Sequence, residues 1–219
     1  ICGDWWRELA AIDPKTGEEK EQGKPNRAAL AELRRIGVVA TEDGEHIEVA
    51  PAFGIHANRK LHGKLQSFLR NSGKHWAVGF SERDEFHEAV AVVASTLARV
   101  RKDTRGKGTT TAHWLGRAKD GEPIRDDDTA RLMAEARFKH LIRTHDWPGL
   151  LDQGRRIVAL LGRDVPVGDL GASLLLWNAS QRTIRDWSFD YYGVAFAGRD
   201  PDDAVEDTPA ATNTQPPTI

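Results

Sequence analysis

Residues 134–161, AEARFKHLIRTHDWPGLLDQGRRIVALL, set the architecture, because they hold two amphipathic helices that share one corner. In the first half Ala134, Phe138, Leu141, Ile142 and His145 recur at spacings of three and four, which predicts a helix with one apolar face. Lys139 and Arg143 are neighbours one turn apart beside that face. Asp146 then stands where an N-cap belongs, with Pro148 inside the new first turn. Leu150, Leu151, Gly154, Ile157, Val158 and Leu161 form the second stripe, and Arg155 and Arg156 fall off it. Two helices that bury one face each and keep cations beside it predict an all-α domain with a basic surface able to hold a polyanion.

The rest of the composition agrees with such a body. A chain of 219 residues with 39% apolar residues and seven Trp can build one sizeable core or two small helical subdomains. The expected organisation is a helical bundle of about eight helices over residues 1–197, divisible into sub-bundles 1–118 and 126–197, followed by a tail at 198–219. Cys2 is the single cysteine, so an internal disulfide is excluded, which suits a reducing, cytoplasmic setting. No apolar run approaches the roughly 20 residues of a membrane helix. The net charge of -2 hides a strong asymmetry. Residues 99–163 hold fifteen Lys and Arg against nine Asp and Glu, whereas 164–219 hold three against nine. A basic middle and an acidic end are the footprint of polyanion binding, although a solvated mixed-charge face explains most single clusters.

Taken in order, Asp4 is placed to cap a helix WWRELAAI, and 13–25 reads as an exposed charged loop. Asn26 caps RAALAELRRI, which leaves Arg34 and Arg35 accessible. Residues 38–55 read either as a short hairpin arm or as a connection. Ala57, Leu61, Leu65, Phe68 and Leu69 mark the next apolar face, and Ser81 with Asp84 resembles a capping box opening a long helix striped by Phe86, Val90, Val93, Leu97 and Val100. That helix runs into RVRKDTRGKG, a cluster of Arg99, Arg101, Lys102, Arg105 and Lys107 that can wrap phosphate. AHWLGRA is a short helix carrying Arg117, and DDDTARL opens the central helix with carboxylates over its N-terminus. After it, RDVPVG is a linker, Asp169 caps LGASLLLWN, and Ser180 restarts a helix in which Ile184, Trp187 and Tyr191 recur at helical spacing. The Pro-, Asp- and Thr-rich end reads as disordered.

Catalytic chemistry finds little support. His145-Asp146 suggests a metal-dependent phosphohydrolase, yet no HxxxH or HExxH accompanies it, and an Asp cap explains the pair better. GKGTT lacks the phosphate-loop spacing, and Ser95, Ser173 and Cys2 lack an activating partner. Neither a metal nor another cofactor is expected. Of the tryptophans, Trp76 and Trp147 lie next to loops or caps and stay open as base-stacking candidates.

Several ordered motifs carry a family resemblance. LGRA at 115–118, RF-x-x-LI-R at 137–143, RR-x-x-x-LL at 155–161, LLLW at 174–177 and W-x-x-x-YY at 187–192 together resemble the CasB family, the small subunit of the type I-E CRISPR surveillance complex Cascade. WWREL and ALAELRRI resemble the family's opening. The resemblance implies a non-catalytic all-helical subunit, present with a second copy of itself, that touches the Cascade large subunit and backbone subunits. It further implies that the protein steadies guide RNA paired to target DNA and offers a basic path for the displaced strand. By matching position, Arg35, Arg117, Arg143, Arg155 and Arg156 fall where the family places cations. Adding the remaining cations of the two basic stretches, the expected nucleic-acid-binding set is Arg34, Arg35, Arg101, Lys102, Arg105, Lys107, Arg117, Lys139, Arg143, Arg155 and Arg156. Charge reversal at Arg155 and Arg156 is expected to weaken strand retention without unfolding the chain.

Overall fold

The computed structural model describes residues 1–11, 25–41, 44–47, 52–83, 85–104, 110–117 and 131–193. Arg105, Lys107, the 13–24 loop, the triple-aspartate segment and the tail at 198–219 lie outside them. The chain is predominantly helical, as the apolar spacings predict, with ten helices among the described residues. They are α1 (Cys2–Ala10), α2 (Arg27–Arg34), α3 (Ala52–Arg70), α4 (His75–Ser81) and α5 (Glu85–Leu97), then α6 (Thr111–Gly116), α7 (Glu135–Ile142), α8 (Trp147–Leu160), α9 (Val167–Leu176) and α10 (Gln181–Tyr192). Two small two-stranded sheets accompany the helices among the described residues. Strands β1 (Val38–Thr41) and β2 (Gly44–Ile47) form an antiparallel hairpin in which Val38 faces Ile47, so the first part of the 38–55 segment is a hairpin arm, while its end, from Ala52, already belongs to α3. Strands β3 (Lys102–Asp103) and β4 (Asp164–Val165) pair in parallel.

The centre of the fold is α5, with no residue from Ala89 to Leu97 exposed. A helix apolar on every side must be covered on every side. α2, α3, α4, α8, α9 and the hairpin all pack on it. The single stripe expected for this helix is therefore corrected to a buried cylinder. Gly154 permits the approach of α8: a β-carbon there would meet the Thr96 hydroxyl at 2.7 Å. One contiguous apolar cluster runs from Cys2 on α1 to Tyr191 on α10.

Local chemistry explains the helix starts. Asn26 accepts from the Ala29 amide at 3.1 Å, and Asp146 accepts from the Gly149 amide at 2.6 Å, so these two expected caps are formed, whereas Asp4 lies inside the first turn of α1, whose N-cap is Ile1. Other expectations are revised. Asp169 sits in the first turn of α9, whose N-cap is Pro166, and accepts from the Thr111 amide of α6 at 2.7 Å, capping a different helix. Ser81 ends α4 and donates to the Val78 carbonyl at 2.7 Å, so it opens nothing. α7 begins only at Glu135, because the Leu132 and Met133 amides run extended and donate to Arg117 and Leu115 at 2.7 and 3.0 Å. RDVPVG holds β4 rather than a plain linker.

The C-terminal aromatics pack as their spacing predicts. Phe138 stacks on Tyr191 at 3.7 Å between ring centres, and Trp177 meets Trp187 edge-on at 5.0 Å. Their polar atoms are satisfied. The Trp177 indole donates to Thr144, the Trp187 indole to Ser173 and the Tyr191 hydroxyl to Met133, at 2.9, 2.8 and 2.7 Å.

Candidate nucleic-acid interface

Five arginines from four places in the sequence meet where α2, α5 and α8 end. α2 contributes Arg34, the chain leaving α5 contributes Arg99 and Arg101, α8 contributes Arg155, and the turn after α8 contributes Arg163. The turn is built for this. Gly162 and Arg163 are both left-handed, with φ of 65° and 72°, which swings the chain back so that the Arg163 carbonyl accepts from the Arg101 amide at 2.9 Å. β3 and β4 follow directly.

Three of the guanidinium groups are held by carbonyls, not by carboxylates. Arg34 Nε donates to the Ala98 carbonyl at 2.6 Å, and Arg99 donates in turn to the Arg34 carbonyl at 2.9 Å. Arg155 reaches from α8 to donate to the Ile36 carbonyl and, at 3.3 Å, to the Ser95 hydroxyl. Among the described residues no acidic group lies within ion-pair distance of any of the five. Burial lowers the pKa of Arg34, and Arg163, Arg99 and Arg101 push it the same way. Burial likewise lowers that of Arg99, joined by Arg155 and Arg163. All remain charged at neutral pH, so the cluster repels itself and a polyanion relieves that repulsion. Lys102 follows on β3, exposed and opposite Asp164.

The other expected cations stand apart. Arg35 pairs with Glu32 at 2.9 Å, and Arg156 pairs with Asp152 at 2.7 Å, each on its own helix. Lys139 pairs with Glu135, and Arg117 lies over the Trp114 ring at 5.6 Å. Arg143 is exposed at the start of the α7–α8 corner, at the opposite end of α8 from Arg163. Of the expected set, Arg34, Arg101, Lys102 and Arg155 are thus brought together, while Arg35, Arg117, Lys139, Arg143 and Arg156 are not. Arg163 carries no signal in the sequence, because its place depends on two left-handed residues. Arg155 also needs correction: it ties α8 to the end of α2, so reversing its charge breaks a structural bond and tests binding poorly.

The two stacking candidates differ in burial. Trp147 is buried beneath the α7–α8 corner, whereas Trp76 is exposed. Among the described residues no group of three or more His, Cys, Asp or Glu is placed to hold a metal ion, and Asp146 of the His145-Asp146 pair serves α8 as its cap. No helix among them is long and apolar enough to cross a membrane.

The family model described as CRISPR-associated protein Cse2 matches residues 29–192. The match starts at ALAELRRI, so it leaves out the WWREL helix, and it includes the hairpin segment. Comparisons with curated proteins and with solved structures gave no match. All five clustered arginines and every motif from LGRA to the paired tyrosines fall within the matched residues, and the chain belongs to the Cse2 (CasB) family, the non-catalytic small subunits of the type I-E CRISPR Cascade complex.

Proposed function

We propose that this small subunit binds nucleic-acid backbone without sequence preference and stabilises the guide RNA–target DNA hybrid and the displaced DNA strand within Cascade, as part of antiviral defence. The observation that carries the reading is the cluster of Arg34, Arg99, Arg101, Arg155 and Arg163, which has no carboxylate within ion-pair distance among the described residues. Cations set on fixed helix ends neutralise phosphates and release counterions, while base pairing with the guide supplies specificity. Strand exchange in such a complex is nearly balanced, so a modest hold on the opened strands tips it. Lys102 lies beside the cluster, Arg105 and Lys107 follow it in the sequence, and Arg117 and Arg143 are separate candidate contacts. The partners of this reading are the Cascade large and backbone subunits, a second copy of the chain, guide RNA and target DNA. Residues 1–197 act as one domain, with 198–219 as an acidic appendage.

The test is reassembly of Cascade around a guide RNA with and without this chain, followed by target-DNA binding at two salt concentrations. The reading expects incorporation and tighter, salt-sensitive retention of opened target DNA. Incorporation without any change in DNA retention would leave a protein scaffold only.

A further inference from the structure

The α3–α4 corner exposes two large aromatic side chains: Phe68, which the apolar spacing places on a buried face, and Trp76, which the sequence leaves open as a stacking candidate. On α3, Leu61, Leu65 and Leu69 are buried, but Phe68 is 58% exposed. On α4, Ala77 and Phe80 are buried, but Trp76 is 46% exposed. The buried residues anchor the corner, and the exposed rings flank the turn that joins the helices. All seven tryptophans are described, and Trp76 is the exposed one.

The surroundings are cationic. From Arg59 to Arg83 the chain carries six Lys and Arg and a single acidic residue, Glu82. Lys60 and Lys64 reach Glu8, and Arg70 pairs with Glu82 at 3.5 Å. Arg59, Lys74 and Arg83 are exposed, with no carboxylate within ion-pair distance among the described residues. A protein-docking patch is depleted in lysine at its core, whereas rings set among lysines and arginines combine base stacking with backbone attraction.

We propose that Phe68 and Trp76 form a stacking platform for unpaired bases of single-stranded nucleic acid, separate from the arginine cluster. This inference rests on the reading of the chain as a nucleic-acid-binding subunit. Every base has a π face, so the platform tolerates any sequence and selects single strands over duplex, which hides its bases.

The experiment compares binding of oligo-dT and of a duplex of equal length to the full chain, to the double variant Phe68→Ala, Trp76→Ala, and to Arg101→Glu, Arg163→Glu. Both aromatic positions are exposed, so the variant keeps its fold, which circular dichroism checks. The platform predicts a loss of roughly tenfold or more for oligo-dT with duplex affinity nearly unchanged, and recovery when Trp76→Phe is combined with native Phe68. It also predicts quenching of Trp76 fluorescence by oligo-dT that Trp76→Phe removes. Unchanged oligo-dT affinity in the aromatic variant, while the arginine variant loses it, overturns the platform and leaves the backbone reading intact. Failure of the aromatic variant to enter Cascade with oligo-dT binding unchanged identifies a protein contact and overturns it as well. Absence of any oligo-dT binding by the unaltered chain overturns the platform, while the backbone reading is decided by target-DNA retention in reassembled Cascade.

Discussion

Asp103 shows how much one carboxylate can organise. Its Oδ2 accepts from Arg7 Nη1 at 3.0 Å and its Oδ1 from the Val167 amide at 3.1 Å, joining α1, β3 and α9 in a buried contact. Arg7 also pairs with the exposed Asp4, whose pKa that hydrogen bond lowers. Removing the acid strands a buried cation, which costs about 3–5 kcal/mol where no other partner remains. Asp4 stays paired with Arg7, so Asp103→Ala is expected to lose less than that, about 1–3 kcal/mol in a denaturant melt, and Asp103→Asn, which keeps an acceptor for Val167, less again. Arg7 lies within the WWRELAAI helix, and the distant Asp103 is what makes its burial possible. Cys2, by contrast, has a thiol pushed by burial up to about 11, which makes it an inert core residue.

Among the elements, α3 and α5 meet through a stacked histidine pair, His62 on His87 with ring centres 4.4 Å apart, and His62 also lies edge-on to Phe86. Burial first, and His87 second, lower the His62 pKa from 6.5. Below that value the unfolded chain takes up a proton that the folded chain resists, so stability falls as the pH drops through it. Thermal melts between about pH 7.5 and about pH 5.5 should show this fall, and His87→Gln, at an exposed position, should shrink it. A pH-independent melting point would show that the pair carries no such penalty. Helix caps at Asn26 and Asp146 are legible in the sequence because a cap is a local bond three residues long. The role of Asp169 is not, because its partner Thr111 is 58 residues away. α4 is hidden for a related reason: seven residues with one glycine give too little periodicity, and only packing on α3 and α5 makes them a helix.

For the whole molecule, the charge asymmetry is the feature most legible in the sequence, and the arginine cluster is its least legible consequence. Composition locates a basic middle, but four separate segments and a left-handed turn decide that Arg34, Arg99, Arg101, Arg155 and Arg163 share one place. Residues 198–219 carry one Arg and five Asp and Glu, so their field opposes a polyanion wherever they lie. Truncation after residue 197 is expected to tighten single-strand binding several-fold at low salt and to matter little at high salt, as measured by fluorescence anisotropy. Equal affinity at low salt would show that the tail exerts no such field.

If the cluster neutralises phosphate, the salt dependence of binding reports it most directly. Arg101 and Arg163 are exposed, and their guanidinium groups make no hydrogen bond within the described residues, so Arg101→Glu, Arg163→Glu alters charge with little structural cost. Affinity for a single strand, measured across salt concentrations in reassembled Cascade, should fall, and the slope of log affinity against log salt should shrink by about 1.4, or about 0.7 for each phosphate no longer neutralised. An unchanged slope and affinity would mean that the cluster neutralises no phosphate.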